Sequence, residues 1–425
     1  MNNFDRRAFL EKSCVGASLT ALLAAVERPL RAEGSAVLAK PQAALKKTYR
    51  AAAIGSTGHG DFGHGMDLAL RGLPGVEFVA IADDDPTGLK KAGERCGIDR
   101  LYDDYRQMLD AEQIDLVTIG MRHSDVHEEV IVHCAGAGKH MYCEKPLASD
   151  LASFDRMVAA CDVADVKLAV ALTNRASPAI HQALAMVREG RLGSLRSLRA
   201  QGKCDHRGGG EDLIVLGYHN LDLMCLFAGQ PQWTFAHVME GNADATKRDS
   251  RSATEPVGPV AGDSISAMFG FPDQVHGHFQ SHRSIDSASD RFSLEIHGSD
   301  GIIAARSLAD VMWFEGAAFN PAKAHEWQAI AVPEWDALAD KYQWCHQYLI
   351  TDLLAAVEEA REPISGIQHT RWVQEMVQSV YASHLAQARV ALPLKQRAHP
   401  LGEGVGVGGQ GSGKENSPLT ERALP

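Results

Sequence analysis

The sequence predicts an α/β protein. Its N-terminal domain has a parallel sheet covered by helices on both faces, and an α+β domain with a largely antiparallel, open sheet follows. Three observations predict this. From Tyr49 onward short apolar runs alternate with helical stretches, the pattern of strands joined by crossover helices. These runs are apolar throughout rather than at every second position, as strands covered on both sides require. After Leu192 the runs alternate in polarity and are joined by short turns, which marks antiparallel pairing.

In chain order, "YRAAAIG", "VEFVAIAD", "IDLVTIG" and "KHMYCEKP" read as strands, with helices at about residues 63–71, 86–96 and 125–137. The turn after the first strand, "GSTGHGDFGHG", holds Gly55, Gly58, Gly60, Gly63 and Gly65. Missing side chains let a backbone approach a phosphate, and amides at a following helix start can hold its charge. Within this turn "GHGDFG" fits G-x-G-x-x-G, and the second strand ends in Asp83, about 20–28 residues on depending on the glycine chosen. A carboxylate there accepts hydrogen bonds from a ribose diol and repels a 2′-phosphate. "ADDDP" offers no arginine for that phosphate. The pattern predicts a dinucleotide-binding Rossmann domain over residues 48–172, with Gly55, Gly58, Gly60, Gly63 and Asp83 on the cofactor, and favours NAD over NADP. A helix N-cap cluster at residues 83–85 is the other reading of the acids.

"HMYCEKPLAS" sets Glu144, Lys145 and Pro146 between a strand and a helix. In this register, behind a glycine-rich turn, the tripeptide resembles the glucose-fructose oxidoreductase/inositol dehydrogenase (Gfo/Idh/MocA) family. The resemblance covers about residues 49–394 and includes "LYDDYRQMLD", "GMRHSDVHEEV" and "VREGRLGSL". Open α/β sheets place ligands at such strand ends. A lysine ammonium there can hydrogen-bond a reacting oxygen and stabilise negative charge as it develops. The resemblance implies that Lys145 contacts both cofactor and substrate hydroxyl, with Glu144 beside the cofactor.

The second motif lies in "GGGEDLIVLGYHNLDLMCLFAGQP". The family often shows an aspartate four residues before a histidine and another three after it. His219 and Asp222 match the last two places, but Val215 occupies the first. Glu211 and Asp212, just upstream, are candidate substitutes. Oxidising an alcohol requires a group that takes its proton near neutral pH, which suits histidine. Lys145 and His219 are the expected catalytic residues. Asp222, Arg175, Glu211 and Asp212 are the expected substrate-binding ones, although Arg175 in "LTNRASP" could equally start a helix. His123 and His127 are open to either a pocket or a capping role.

In the second domain, residues 173–396, "SLRSLRAQG", "ISAMFGFP", "QVHGHFQSH" and "RFSLEIHGSDGIIAA" read as strands, and residues 241–262 as a mobile loop. The resemblance implies that the outer face of this sheet forms homo-oligomers. His276, His278 and His282 share one strand face, but no carboxylate or cysteine at matching spacing joins them, so no metal is expected. "DLLAAVEEA" and "WVQEMVQSVYASHLAQ" are amphipathic helices.

At the N-terminus, "MNNFDRRAFLEKSCVGASLTALLAAV" places Arg6-Arg7 before a short apolar run. It resembles a twin-arginine signal, the type read by machinery that exports folded proteins. Residues 1–39 are therefore expected to be signal and spacer, cleaved between Glu33 and Lys40, and the mature protein periplasmic with no membrane segment. The Gly-rich residues 397–425 are an expected disordered tail. A net charge of −12 argues against nucleic acid and anionic membrane as partners. The resemblance implies an exported NAD-dependent oxidoreductase acting on a sugar, polyol or related hydroxyl. Free NAD is scarce outside the cytoplasm, so such an enzyme is expected to retain its nucleotide. Two alternatives stand beside it: an NAD-dependent glycosidase or lyase working by transient oxidation, and an inactive nucleotide- or sugar-binding protein, which Val215 favours.

Overall fold

The computed structural model describes residues 45–284, 292–306, 308 and 310–402. The segment read as an export signal and most of the expected tail lie outside the described residues. Six strands form the first sheet: β1 (Tyr49–Ile54), β2 (Val76–Ala82), β3 (Leu101–Tyr102), β4 (Leu116–Ile119), β5 (His140–Cys143) and β6 (Leu168–Val170). Their order is β3-β2-β1-β4-β5-β6, all parallel. The order reverses between β1 and β4, and this switch point is where an open parallel sheet leaves a crevice. β4 is buried along its whole length, which accounts for its unbroken apolar run.

The helices between these strands are α1 (Pro86–Cys96), α2 (Tyr105–Ala111), α3 (His127–Gly136) and α4 (Leu151–Ala164). Local chemistry sets their starts. Asp85 Oδ1 accepts the Gly88 amide at 2.6 Å ahead of α1, and Asp150 Oδ1 accepts the Ser153 amide at 2.7 Å ahead of α4; each satisfies an amide that the helix cannot. The helix expected over residues 63–71 is a correction. Turns run through this segment and only Leu68–Leu70 forms a single 3-10 turn. Gly58, Gly60, Gly63 and Gly65 all have φ between 58° and 91°, values that a right-handed helix excludes.

The second domain follows through α5 (Pro178–Arg188), β7 (Leu195–Gln201), α6 (Gly210–Val215), α7 (Gly217–Ala228), β8 (Trp233–Glu240) and β9 (Ala243–Asp244). Then come β10 (Arg251–Ser252), β11 (Pro259–Val260), β12 (Ser264–Gly270), β13 (His276–His282), β14 (Ser293–Gly298), β15 (Gly301–Ala305), β16 (Val311–Glu315) and β17 (Gln328–Ala329). The chain closes with α8 (Pro333–Asp336), α9 (Lys341–Glu358), α10 (Ile367–Ala386) and β18 (Val390–Ala391). The large sheet runs β17-β16-β15-β14-β7-β13-β12-β8-β18, with β9 on β8, and only the β7–β13 pair is parallel. His276, His278 and His282 alternate with the buried Gly277, Phe279 and Ser281 along β13, so the three imidazoles do share its outer face.

Residues 241–262, expected as a mobile loop, contain the β10–β11 pair and dock on the first domain. Ser124 Oγ donates to the Pro256 carbonyl, and Gly258 lies against Ser149. The late helices also return to the first domain. α9 packs on β6 and on the Leu68–Leu70 turn, while α10 lies between α4 and β8. Among the described residues no helix is long and apolar enough to cross a membrane, and all seven cysteines are free thiols.

A Cβ on Gly63 would lie 2.6 Å from Glu144 Oε1 and from the Gly120 carbonyl, at a φ of +58°. We expect Gly63→Ala to lower unfolding free energy by about 1–3 kcal/mol. Gly136→Ala, where a Cβ would meet open space inside α3, is expected to stabilise by roughly 0.5–1 kcal/mol. Chemical denaturation of both variants checks the contrast.

Candidate active site

The ends of β1, β4 and β5 carry two features, a cleft at the glycine turn lined from the end of β1, and a cavity lined by Glu144 and Lys145 at the end of β5. The cleft has a volume of about 460 Å³ and is lined by Gly55, Ser56, Asp83, Asp84 and Tyr105 among others. Asp83, expected to face a ribose, is largely committed to the fold. Its carboxylate accepts the Thr57 amide at 3.0 Å, the Thr57 hydroxyl at 2.7 Å and the Asp85 amide at 3.0 Å. Its neighbour Asp84 is exposed at the cleft and takes only the Ser56 hydroxyl, at 2.8 Å, among the described contacts.

The cleft has the features a nucleotide would use. The Tyr105 hydroxyl is buried there without a partner, and at the end of β4 so are Arg122 Nε and His123 Nδ1. Buried polar atoms are rarely left unpaired; of these three only Tyr105 belongs to a residue lining the cleft. Arg106, the cation lining the cleft, is committed to Asp104 and Glu129. Because no α-helix starts at the glycine turn, any phosphate cradle there is made of turn amides rather than a helix terminus. Gly60 sits so close to Arg122 that a Cβ would lie 2.4 Å from the Arg122 nitrogen. His127, by contrast, is structural: its two ring nitrogens lie 3.1 and 2.7 Å from the Leu147 and Met121 carbonyl oxygens.

The cavity, about 250 Å³, brings together Lys145, His219, Glu144, His64, His346 and Lys203. Glu144 Oε1 accepts His64 Nδ1 at 2.6 Å and the His64 amide at 3.2 Å, and Oε2 accepts the Lys145 amide at 2.9 Å. Burial alone would raise the pKa of this carboxyl, but the His64 bond and the charges of His64 and Lys145 bring it down to about 2. Glu144 therefore stays ionised and ties the glycine turn to the end of β5.

Lys145 is buried, and its ammonium donates to the Val215 carbonyl at 2.9 Å. Burial lowers its pKa from the ordinary lysine value, and Glu144 opposes that shift. The aspartate missing at Val215 is thus answered by the main chain of the same residue. Glu211 and Asp212 do not line the cavity. Glu211 accepts the Thr254 hydroxyl. Asp212 accepts the Ser281 hydroxyl at 2.6 Å and the amides of Lys203 and Cys204, with its pKa raised by burial. His219, in the first turn of α7, keeps a buried Nδ1 without a partner. Burial, then the neighbouring Lys145 charge, lowers its pKa to about 3, so the ring is neutral near pH 7.

Arg175 and Asp222 are brought together, but with each other rather than at the cavity. Arg175 Nε reaches the two Asp222 oxygens at 2.7 and 2.9 Å, and its other end donates to the Ile364 carbonyl. Both side chains are almost wholly enclosed. Sequence reasoning missed His64, Lys203 and His346. His64 lies inside the glycine turn, where the glycines carry the readable pattern. His346 lay in "KYQWCHQY", more than two hundred residues from Glu144, and no local pattern connects the two.

Removing one member of a buried ion pair strands the other charge. Arg175→Ala is expected to cost about 3–5 kcal/mol of stability, while the double change Arg175→Leu with Asp222→Leu recovers most of it. Denaturant titration measures both; an Arg175→Ala protein of full stability with weakened substrate binding would put this arginine back at the substrate.

Comparison with known proteins places the chain. A model of the oxidoreductase family with an NAD-binding Rossmann fold matches residues 50–172, and one of the GFO/IDH/MocA C-terminal domain matches residues 180–304. D-apiose dehydrogenase of Paraburkholderia graminis is 38% identical over 35% of this chain and 38% of its own length. Levoglucosan dehydrogenase of Pseudarthrobacter phenanthrenivorans is 26% identical over 59% of this chain and 72% of its own. Myo-inositol 2-dehydrogenase of Thermotoga maritima is 30% identical over 34% and 43%. The chain thus matches well under two thirds of two of these three relatives. A solved levoglucosan dehydrogenase in complex with NADH and L-sorbose superposes with a TM-score of 0.66 at 21% identity, over 82% of this chain and 99% of that one, a likeness of fold. With the two models together matching more than half of its residues, in order, the chain belongs to the GFO/IDH/MocA oxidoreductase family.

Proposed function

We propose that this protein is an exported, NAD-dependent oxidoreductase that transfers hydride between a hydroxyl of a sugar or polyol and the nicotinamide. The observation that carries the reading is the cavity itself, where a buried lysine ammonium and a neutral histidine meet beside a nucleotide-sized cleft. A bound nicotinamide nucleotide would supply the hydride acceptor. Lys145 hydrogen-bonds the reacting oxygen and stabilises negative charge on it. His219 takes the hydroxyl proton at a ring nitrogen. Glu144 keeps the lysine charged and in place. A binding protein without chemistry has no need for the lysine and the histidine in one enclosed space.

The Asp83–Asp84 edge supports NAD over NADP, since carboxylates pair with a ribose diol and repel a 2′-phosphate. Apiose, levoglucosan and inositol in the relatives' names support a carbohydrate or polyol substrate. The Arg6-Arg7 signal supports export in the folded state through the twin-arginine machinery to the periplasm, where retaining the nucleotide through the cycle answers its scarcity. The outer face of the large sheet, with Phe235 exposed, is the surface we assign to homo-oligomer formation.

Mass spectrometry of the denatured mature protein is expected to release near-stoichiometric NAD or NADH; a protein that is empty and binds neither NAD nor NADP would contradict the proposal. Lys145→Ala should lower kcat/KM by roughly 10²–10³-fold, the cost of losing one donor to a developing oxyanion. The pH profile has a defined sign. His219 works unprotonated and titrates at about 3, so its protonation gives no acid limb above about pH 4. Lys145 works protonated, so oxidation falls as pH rises through a lysine pKa below its usual value. Steady-state rates from pH 4 to 10 would reveal a low alkaline limb that is absent in Lys145→Arg.

A further inference from the structure

His346 takes no part in the mechanism above, yet it lines the same cavity as Lys145 and His219. It projects from α9, a helix that packs on β6. The ring is 1% exposed. Its Nδ1 lies 2.8 Å from the Tyr142 hydroxyl, and its Nε2 is buried with no partner. Tyr142 sits on β5 two residues before Glu144, is fully enclosed, and contacts the His346 ring edge-on at 5.8 Å between centroids.

These contacts decide the tautomer. Burial holds the Tyr142 phenol protonated, and burial keeps the His346 ring neutral, with its pKa lowered to about 4. The phenol hydrogen must find an acceptor, because an enclosed hydroxyl with none forfeits its hydration. The acceptor given to it is His346 Nδ1. A neutral imidazole that accepts at Nδ1 carries its hydrogen on Nε2. A ring that lines the cavity therefore holds a fixed, enclosed N–H donor with nothing to receive it. His219 accepts a proton; His346 offers one hydrogen bond and keeps it.

We propose that His346 is a specificity-determining residue whose Nε2–H, oriented by Tyr142, donates a hydrogen bond to a second oxygen of the substrate, distinct from the one oxidised. The inference rests on the oxidoreductase reading of the cavity. It restricts the substrate class to molecules with at least two oxygens, such as cyclic polyols and sugars. Alcohols with a single oxygen leave the donor unpaired in an enclosed site, and sites built around such a donor reject analogues that lack the oxygen.

The test uses the full mature chain loaded with NAD, labelled with ¹⁵N-histidine, and three probes: D-glucose, myo-inositol and levoglucosan. Two-dimensional ¹⁵N–¹H spectra should show His346 as the Nε2–H tautomer, and Tyr142→Phe should convert it to a mixture. On whichever probe is turned over best, His346→Met should raise KM by roughly 10-fold or more with kcat changed much less, as for a lost hydrogen bond. His346→Gln, which restores an N–H, should recover part of that loss. A general structural defect would instead change kcat and thermal midpoint and would not separate Gln from Met. A wild-type ring protonated at Nδ1, or a Met variant with unchanged KM, overturns the proposal. If the wild type oxidises none of the probes, the functional reading fails, and the His346 resonance still decides this one. A shift of Nε2–H on adding a probe to the NADH-loaded protein supports the donor role, and no shift with any probe overturns it.

Discussion

Glu144 is an ionised carboxylate with no exposed surface to speak of, and the arrangement around it follows from the need to keep it so. Enclosing a carboxylate costs several kcal/mol unless hydrogen bonds and opposite charge replace water. Three donors do this here: the His64 ring, the His64 amide and the Lys145 amide. The first two belong to the glycine turn and the third to the end of β5, so one anion joins two segments some eighty residues apart. Gly63 is part of the same solution, since any side chain there would displace the carboxylate oxygen. The turn that forms the floor of the nucleotide cleft and the strand end that presents Lys145 are therefore fixed relative to each other before any ligand arrives. Such prior fixing of charge is what makes an enclosed site effective.

Much of the first domain was legible because its strands and helices are local events. Wholly apolar runs of strand length, and an acid cluster at residues 83–85 ahead of α1, are each read within a few residues. The stretch after β1 misled because glycine supplies no pattern of its own. The same residues open either a helix or a chain of turns, and only their φ angles, set by close packing on Arg122, Gly120 and Glu144, decide. Lys145 and His219 could be found because each lies in a motif with fixed neighbours. Glu211, Asp212, Asp222 and Arg175 sit in the right segments, but a position on a helix does not say which way a side chain turns. All four turned to partners in the protein. The mutual attraction of Arg175 and Asp222, and the Ser281 hydroxyl bonded to Asp212, are long-range contacts with no trace in spacing.

Val215 shows how such a site absorbs a change in sequence. A carboxylate at that place would offer the lysine ammonium an anion; the apolar side chain leaves a carbonyl dipole at 2.9 Å instead. A dipole holds the ammonium in position without neutralising it. More of the positive charge then remains available to an oxygen entering the cavity, and less of the proton-accepting work can be shared. In the proposed reaction that work falls on His219, which is neutral near pH 7 because enclosure and the Lys145 charge both oppose a second cation.

The same electrostatic reasoning explains why two imidazoles in one cavity need not compete. His219 and His346 both stay neutral through burial, yet they differ in what surrounds Nδ1. His346 has Tyr142 to take its Nδ1 lone pair, whereas Nδ1 of His219 has no described partner. A ring whose tautomer is pinned by a phenol acts as a steady donor. One that is not pinned can exchange which nitrogen bears hydrogen as a proton arrives. Taking a proton beside Lys145 is unfavourable for His219, whose pKa is lowered to about 3 even with the Glu144 charge opposing the shift. Glu144, still ionised within the same cluster, supplies the balancing charge. In the proposed reaction the carboxylate that fixes the turn thus also lessens the cost of a second cation beside Lys145 for the length of one turnover.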